Sequence, residues 1–183
     1  ILNEQQESFS TFVFHSSWHK GVIGIVASRL IETYYRPTVV LTESEGVLSG
    51  SVRSVRGFDV YKALESCAEF MIQFGGHKYA AGLTIRPEDY GAFKARFEEV
   101  VQKTLPAALQ TPELTIDADL NLAQISPKLF RIIEQFAPFG PGNRRPVFAS
   151  EQVTVLPQTK PVGADKSHLK MVVAQGECLS ISG

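Results

Sequence analysis

The chain has 183 residues, of which 44% are hydrophobic and 20% charged, a composition that is typical of globular proteins and excludes a disordered chain. Its 18 Lys and Arg side chains against 19 Asp and Glu give a formal net charge of -1, so an anionic partner must be held by a local patch rather than by a global basic field. Two cysteines exclude a disulfide framework, and with a polar start and no long apolar stretch they predict a cytoplasmic protein with no membrane partner.

The first 105 residues carry alternating strand and helix patterns that predict an α/β fold, a mixed sheet flanked by helices. The first three elements form a strand–helix–strand unit, which implies parallel pairing of its two strands. Paired glycines after residue 74 interrupt both regular patterns and indicate a loop. In chain order, the predicted elements are a strand over 9–14, a helix over 20–35, strands over 38–42 and 47–52, a helix over 59–73, a loop over 74–77, a strand over 82–86 and a helix over 87–105.

Beyond Pro112 the pattern changes to short strands separated by glycine-containing turns, which is typical of a small β-barrel. The predicted elements are a strand over 114–120, a helix opened by Ser126 and Pro127, a rigid loop over 138–143 and strands over 147–156, 168–174 and 178–181. An unpartnered strand at the end of the chain predicts a barrel that is cut short. We therefore expect two domains, residues 1–109 and residues 110–183, in a piece of a longer protein.

The first chemical motif lies at the end of the strand over 47–52. Two arginines and two hydroxyls follow one another there, namely Ser51, Arg53, Ser54 and Arg56. Guanidinium groups match phosphate oxygens bidentately, and serine hydroxyls add contacts. The motif therefore indicates a phosphate-binding edge, and the alternative is a solvated sheet edge with basic side chains.

The second motif is Gly75-Gly76-His77-Lys78, followed by two small alanines. Glycines let backbone N–H groups approach an anion closely. His77 supplies a hydrogen-bond donor from its ring, and Lys78 adds charge. The alternative interpretation is a tight turn with an incidental histidine, but two such motifs in one domain favour an anion site.

The third motif is the loop Pro138–Pro146. Phe139 can stack on a base, and Asn143 and Arg144 are secondary candidates for contacts to a nucleic acid. The alternative is an inter-element loop that proline stiffens.

Catalytic signatures are missing from the sequence. It has no Ser-His-Asp arrangement, no P-loop, no HExxH and no dense cluster of Asp and His, so we predict no catalytic residue and no metal ligand in this chain. Asp117 and Asp119 share one face of a strand, but a solvated face is the better interpretation because no third ligand lies nearby in the sequence.

In their order and separation these motifs resemble the RecJ family of single-stranded-DNA-specific exonucleases, within the DHH phosphoesterase superfamily. The segments that carry the resemblance are Trp18–Leu30, Gly50–Ser54, Phe74–Gly82, Pro138–Asn143 and His168–Lys170.

The resemblance implies that residues 1–109 are a DHH-associated, substrate-binding domain and residues 110–183 part of an OB-fold domain that binds nucleic acid. It also implies a partner in the same protein, an N-terminal DHH domain with Mn²⁺ or Mg²⁺, which the chain lacks. Ser51, Arg53, Ser54, Gly75, Gly76 and His77 would then hold single-stranded DNA near the cut. The whole protein would be a 5′–3′ exonuclease of DNA repair and recombination, and we expect the present chain alone to be inactive.

Two alternatives stay open. One is a DHH-superfamily phosphodiesterase acting on oligoribonucleotides or cyclic dinucleotides, which need not carry an OB-like segment. The other is a non-catalytic module that binds single-stranded nucleic acid.

Overall fold

The computed structural model describes residues 8–176 and 180–182. The chain divides into two compact units, residues 1–112 and 113–183. The first unit contains β1 (Thr11–Phe14), α1 (Ile23–Tyr34), β2 (Thr38–Ser44), β3 (Val47–Arg53), α2 (Val60–Glu65), β4 (Gln73–His77), β5 (Ala80–Ile85) and α3 (Tyr90–Thr104).

The first unit is built on a single five-stranded sheet with the strand order β1-β2-β3-β5-β4. β1 and β2 are parallel, and the other neighbours are antiparallel. The prediction of a mixed sheet flanked by helices is therefore confirmed. The parallel pair requires a crossover, and α1 provides it.

One face of this sheet carries the core of the unit. Residues alternate between the two faces along a strand, and paired residues share a face. On the core face, valine, leucine, isoleucine and alanine side chains from β2, β3 and β5 pack against α2 and α3. Phe93 and Phe97 of α3 are fully buried there, so this face is sealed by apolar packing.

The other face, called the polar face below, carries small and polar side chains. Its residues are Ser49, Ser51 and Arg53 of β3, Ala80, Gly82 and Thr84 of β5, and Gln73, Gly75 and His77 of β4. α1 packs against β2 and β3 and buries Ile23 and Ala27 against Val40. Gly75, Gly82 and His77 stay exposed beyond the helix.

The predicted loop over 74–77 is wrong, because these residues form the edge strand β4, paired with β5 from Gln73↔Thr84 to His77↔Ala80. The glycines favour a loop locally, but backbone pairing with β5 stabilises the extended strand instead. Gly76 has a φ of 147°, and a Cβ there would lie 2.4 Å from the Ala80 carbonyl oxygen. Glycine is thus what allows the two strands to approach at this point.

The predicted helix over 59–73 is too long. Asp59 caps α2 as expected, since its carboxylate accepts the N–H of Lys62 at 3.2 Å, but the helix ends at Glu65. A short 3-10 turn over Ala68–Phe70 follows. Cys67 keeps the helical spacing and is fully buried, so the apolar pattern continues although the α-helix has ended.

The second unit consists of short elements. They are β6 (Ala118–Asp119), α4 (Pro127–Glu134), β7 (Phe148–Ala149), β8 (Thr154–Val155), β9 (Lys160–Val162), β10 (His168–Lys170), β11 (Val172–Ala174) and β12 (Ser180–Ser182). Ser126 caps α4 as predicted, because its Oγ accepts the N–H of Leu129 at 3.2 Å. The strands form small separate sheets that do not close into a barrel within the described residues. The predicted strand over 178–181 lies partly outside those residues.

Candidate anion-binding groove

Arg53 and His77 lie on the same face of the sheet. Arg53 of β3 pairs with Ala80 of β5, and Ala80 pairs with His77 of β4. The three residues therefore form one cross-strand row on the polar face. The two separate sequence motifs are thus brought together by the sheet register.

The guanidinium of Arg53 is positioned by its neighbours. Its Nη1 donates to the Oγ of Ser51 and to the carbonyl oxygen of Val52, both at 2.9 Å. A Cβ at Gly24 of α1 would lie 2.9 Å from Nη2, so the absence of a side chain there makes room for the arginine. Arg53 pairs with no carboxylate within residues 8–176, which leaves its charge available to an anion.

Next to this row is a cavity of about 400 Å³, called the glycine groove below. Its lining residues are Lys20, Gly50, Gln73, Phe74, Gly75, Gly82, Leu83 and Thr84. A Cβ at Gly75 would meet nothing within 4 Å, and one at Gly82 would meet only the Gly50 carbonyl oxygen at 3.8 Å. These two glycines keep the floor of the groove free of side chains, so a ligand can approach the backbone closely.

The remaining residues of the two motifs have other surroundings. Gly76 lies against the backbone of Ala80 and Ala81, where it allows β4 and β5 to approach closely. Ser54 donates its hydroxyl to the Phe58 carbonyl oxygen at 2.9 Å, which ties the loop after β3. Lys78 lies in the turn between β4 and β5, with its Nζ 5.4 Å from the centre of the Tyr79 ring.

Arg56 is exposed in the loop after β3. Its position does not bring it into the row formed by Arg53 and His77, because it follows the end of the strand by several residues.

In the second unit, the loop over 138–146 is held together by its own side chains. The Nδ2 of Asn143 donates to the carbonyl oxygens of Phe136 and Pro138, at 2.8 and 3.0 Å. The guanidinium of Arg145 lies 4.6 Å from the centre of the Phe139 ring, and it donates to Glu134 at 2.8 Å. Asn143 and Phe139 are thus occupied by contacts within the loop. The third secondary candidate here, Arg144, is exposed.

Sequence reasoning did not assign Lys20, Gly24 and Gly82 to the site. Lys20 precedes α1 and lines the glycine groove, whereas Gly24 lies inside the helix beside Arg53. A glycine one residue into a helix is itself an unexplained feature, since it weakens the helix unless something requires close approach. That signal could have pointed to the contact with Arg53.

Within residues 8–176 and 180–182, no group of three or more His, Cys, Asp or Glu side chains is placed to hold a metal ion. The divalent metal that the family resemblance implies does not fit this part of the chain. In the same residues, no helix is long and apolar enough to cross a membrane.

The fold agrees with comparisons to known families. Residues 6–103 match the family model described as DHHA1 domain, and residues 116–183 match the one described as RecJ OB domain. The first match covers more than half of the chain. The chain is therefore a DHHA1 domain followed by an OB-type domain.

The chain is similar in sequence and structure to known single-stranded-DNA-specific exonucleases. The chain is 34% identical over 174 residues to the single-stranded-DNA-specific exonuclease RecJ of Bacillus subtilis, covering 93% of the chain and 22% of that protein. It is 35% identical over 166 residues to RecJ of Salmonella typhimurium, covering 88% and 28%. The crystal structure of Thermus thermophilus RecJ with Mn²⁺ matches with a TM-score of 0.73 and 28% identity, over 98% of the chain and 28% of that protein. The chain belongs to the RecJ family, and it spans about a quarter of the length of these relatives.

Proposed function

We propose that the chain is the substrate-binding portion of a RecJ-like 5′–3′ exonuclease specific for single-stranded DNA, acting in the cytoplasm in DNA repair and recombination. Residues 1–109 hold the strand near the site of cleavage, and residues 110–183 bind it further along. The hydrolytic centre belongs to a DHH domain outside this chain, so the chain by itself does not hydrolyse DNA. The observation that carries the proposal is the shared row of Arg53 and His77 beside the glycine groove.

The roles of the groove residues follow from their chemistry. Ser51 and Val52 hold the guanidinium of Arg53 through hydrogen bonds, so the side chain loses little conformational freedom when it binds a phosphate. The contact that it forms with the phosphate is a charge-assisted hydrogen bond. His77 lies in the same row and donates from its ring to another oxygen of the same phosphate. Gly75 and Gly82 let the sugar-phosphate chain lie close to the sheet.

These contacts position the strand rather than cleave it. Positioning lowers the barrier of a reaction because the reacting groups no longer have to find each other. Arg53 and His77 would do this for a phosphodiester next to the one that is cut. Contacts to phosphates carry no sequence information, so the groove accepts any base sequence.

The test is binding of a 3′-labelled oligothymidylate to the 183-residue chain, measured by fluorescence anisotropy. Arg53→Gln and His77→Ala each remove a contact to phosphate, and the loss of a charge-assisted hydrogen bond by Arg53→Gln weakens binding about 10- to 100-fold. Arg96→Gln is the matched control, because Arg96 lies on α3, which packs on the core face, and it pairs with Glu99. Unchanged affinity in both Arg53→Gln and His77→Ala would contradict the proposal.

A second arm of the same experiment compares DNA with an oligoribonucleotide of equal length. Tighter binding of the DNA supports the exonuclease, whereas tighter binding of the RNA supports the phosphodiesterase alternative. Mn²⁺-dependent degradation of DNA by the purified 183-residue chain, unchanged by further purification, would contradict the proposal that the hydrolytic centre lies outside this chain.

A further inference from the structure

We propose that Lys20 binds a second phosphate at the end of the glycine groove opposite Arg53 and His77, so that the groove grips two phosphates of one strand at the same time. This inference rests on the proposed function and deepens it. Lys20 is exposed and lines the groove, and none of the motifs that sequence reasoning assigned to binding includes it. The consequence is that a single phosphate does not reach full affinity, and the ligand must be long enough to place a phosphate at each end.

The sheet register sets the distance between the two positive ends. Arg53, Ala80 and His77 form one cross-strand row, and the row of Ser49, Thr84 and Gln73 lies four residues away along β3. At about 3.3 Å per residue, the two rows are about 13 Å apart. One phosphate group cannot bridge that distance, so each end needs a phosphate of its own.

Lys20 belongs to the far end of this span. Of the residues on the polar face, the cavity that Lys20 lines includes Gln73 and Thr84 of the far row and the two floor glycines, but not Arg53 or His77. Gln73 donates to the Oγ1 of Thr84 at 3.4 Å, which leaves a polar but uncharged surface there. Lys20 is therefore the cation of this end of the groove among its lining residues.

No carboxylate of residues 8–176 neutralises the charge of Lys20. In this part of the chain, no aspartate or glutamate lines the groove, and Lys20 forms no ion pair. An exposed ammonium in such surroundings attracts anions, and a lysine contacts phosphate as a compact point charge with three donors. The floor between the two ends carries no side chain at Gly75 and Gly82, so at these two positions a strand can lie close to the sheet as it spans them.

The experiment compares one phosphate with a strand long enough to reach both ends. Thymidine 5′-monophosphate and the 5′-phosphorylated trinucleotide pTpTpT, whose first and third phosphates can occupy the two ends, each compete with the labelled oligothymidylate for the 183-residue chain. In Lys20→Gln, pTpTpT loses about 5- to 20-fold in affinity, whereas the monophosphate, which sits at the Arg53 end, loses less than about twofold. In Arg53→Gln both ligands are weakened.

The salt dependence gives a second readout. Each phosphate contact to a single strand contributes about 0.7 to the slope of log affinity against log salt, so the slope for the oligonucleotide falls by about 0.7 in Lys20→Gln. Lys62→Gln is the matched control, since Lys62 is an exposed lysine of α2, on the side of the core face. It leaves both the slope and the affinities unchanged.

Equal losses for the two ligands in Lys20→Gln, or no loss for either, would overturn the inference while leaving the proposed function intact. Failure of the unmodified chain to bind the oligonucleotide at all would overturn the proposed function itself. The two failures are therefore distinguishable.

Discussion

Two neighbouring glycines of β4 have different tasks, and alanine substitutions separate them. Gly75 and Gly76 follow one another in the edge strand, so their missing side chains point to opposite faces of the sheet. On the polar face, a Cβ at Gly75 meets nothing within 4 Å. On the core face, a Cβ at Gly76 would lie 2.4 Å from the Ala80 carbonyl oxygen and 2.5 Å from the Ala81 Cα.

The structure gives the size of the difference. At Gly76 the φ of 147° lies in a region where a side chain costs about 1–3 kcal/mol, before any repulsion from the Ala80 backbone is added. At Gly75 an alanine fits without contact, and removing a flexible glycine from a strand stabilises it by about 0.5–1 kcal/mol. We expect the free energies of unfolding of the two variants to differ by about 2–4 kcal/mol, with Gly76→Ala the less stable.

The assay is urea unfolding followed by the fluorescence of Trp18, the single tryptophan of the chain. Trp18 packs against the cluster of Ile23, Ala27 and Val40 in the first unit, so its signal reports the unfolding of the domain that contains the hairpin. Wild-type stability in Gly76→Ala, or an equal loss in Gly75→Ala, would refute the assignment of one glycine to the hairpin and the other to the groove.

Three further predictions concern the groove and the core. Gly82→Val keeps the fold, because a Cβ at this position meets only the Gly50 carbonyl oxygen at 3.8 Å. The valine side chain fills the groove floor, so oligothymidylate binding weakens at least about 10-fold. Wild-type affinity of this variant in the anisotropy assay would show that the ligand does not contact the floor. Burial raises the pKa of the Cys67 thiol from 9.0 to about 11. The stabilisation that the buried thiol contributes below pH 9 is therefore lost as the pH rises from about 9 to 11. Mass-spectrometric mapping should show slow alkylation of Cys67 at pH 8 until urea unfolds the chain. Equally fast alkylation of the folded chain would contradict that burial. Glu98→Ala leaves the buried Ser10 without the carboxylate that accepts its backbone N–H at 2.9 Å, which lowers the free energy of unfolding by about 1–3 kcal/mol; urea unfolding with an unchanged midpoint would show that this contact contributes nothing.

The strand–helix–strand unit of the first domain was predictable because its signals are local. Apolar residues at helical spacing define α1, and the apolar run from Thr38 defines β2, with ends that the structure moves by a few residues. The β4 strand was not predictable in the same way. Its glycines favour a loop locally, and only pairing with β5 makes them a strand, which is a tertiary interaction.

The candidate site was predictable in part for the same reason. Arginine and serine at a strand end, and a Gly-Gly-His segment, point to an anion through residue type alone. Their convergence depends on the register of three strands, and the contribution of Gly24 depends on how α1 crosses β3. Neither is a property of a single segment, so sequence patterns do not reveal them.

Single-stranded DNA is expected to lie on the polar face of the sheet, and backbone amide chemical shifts test this placement most directly. In a titration of the ¹⁵N-labelled chain with oligothymidylate, we expect the largest shifts within the first unit at Arg53, Gly75, His77 and Gly82, with Lys20 among them. Shifts concentrated on α2 and α3, which pack on the core face, with the polar face unchanged, would contradict the account.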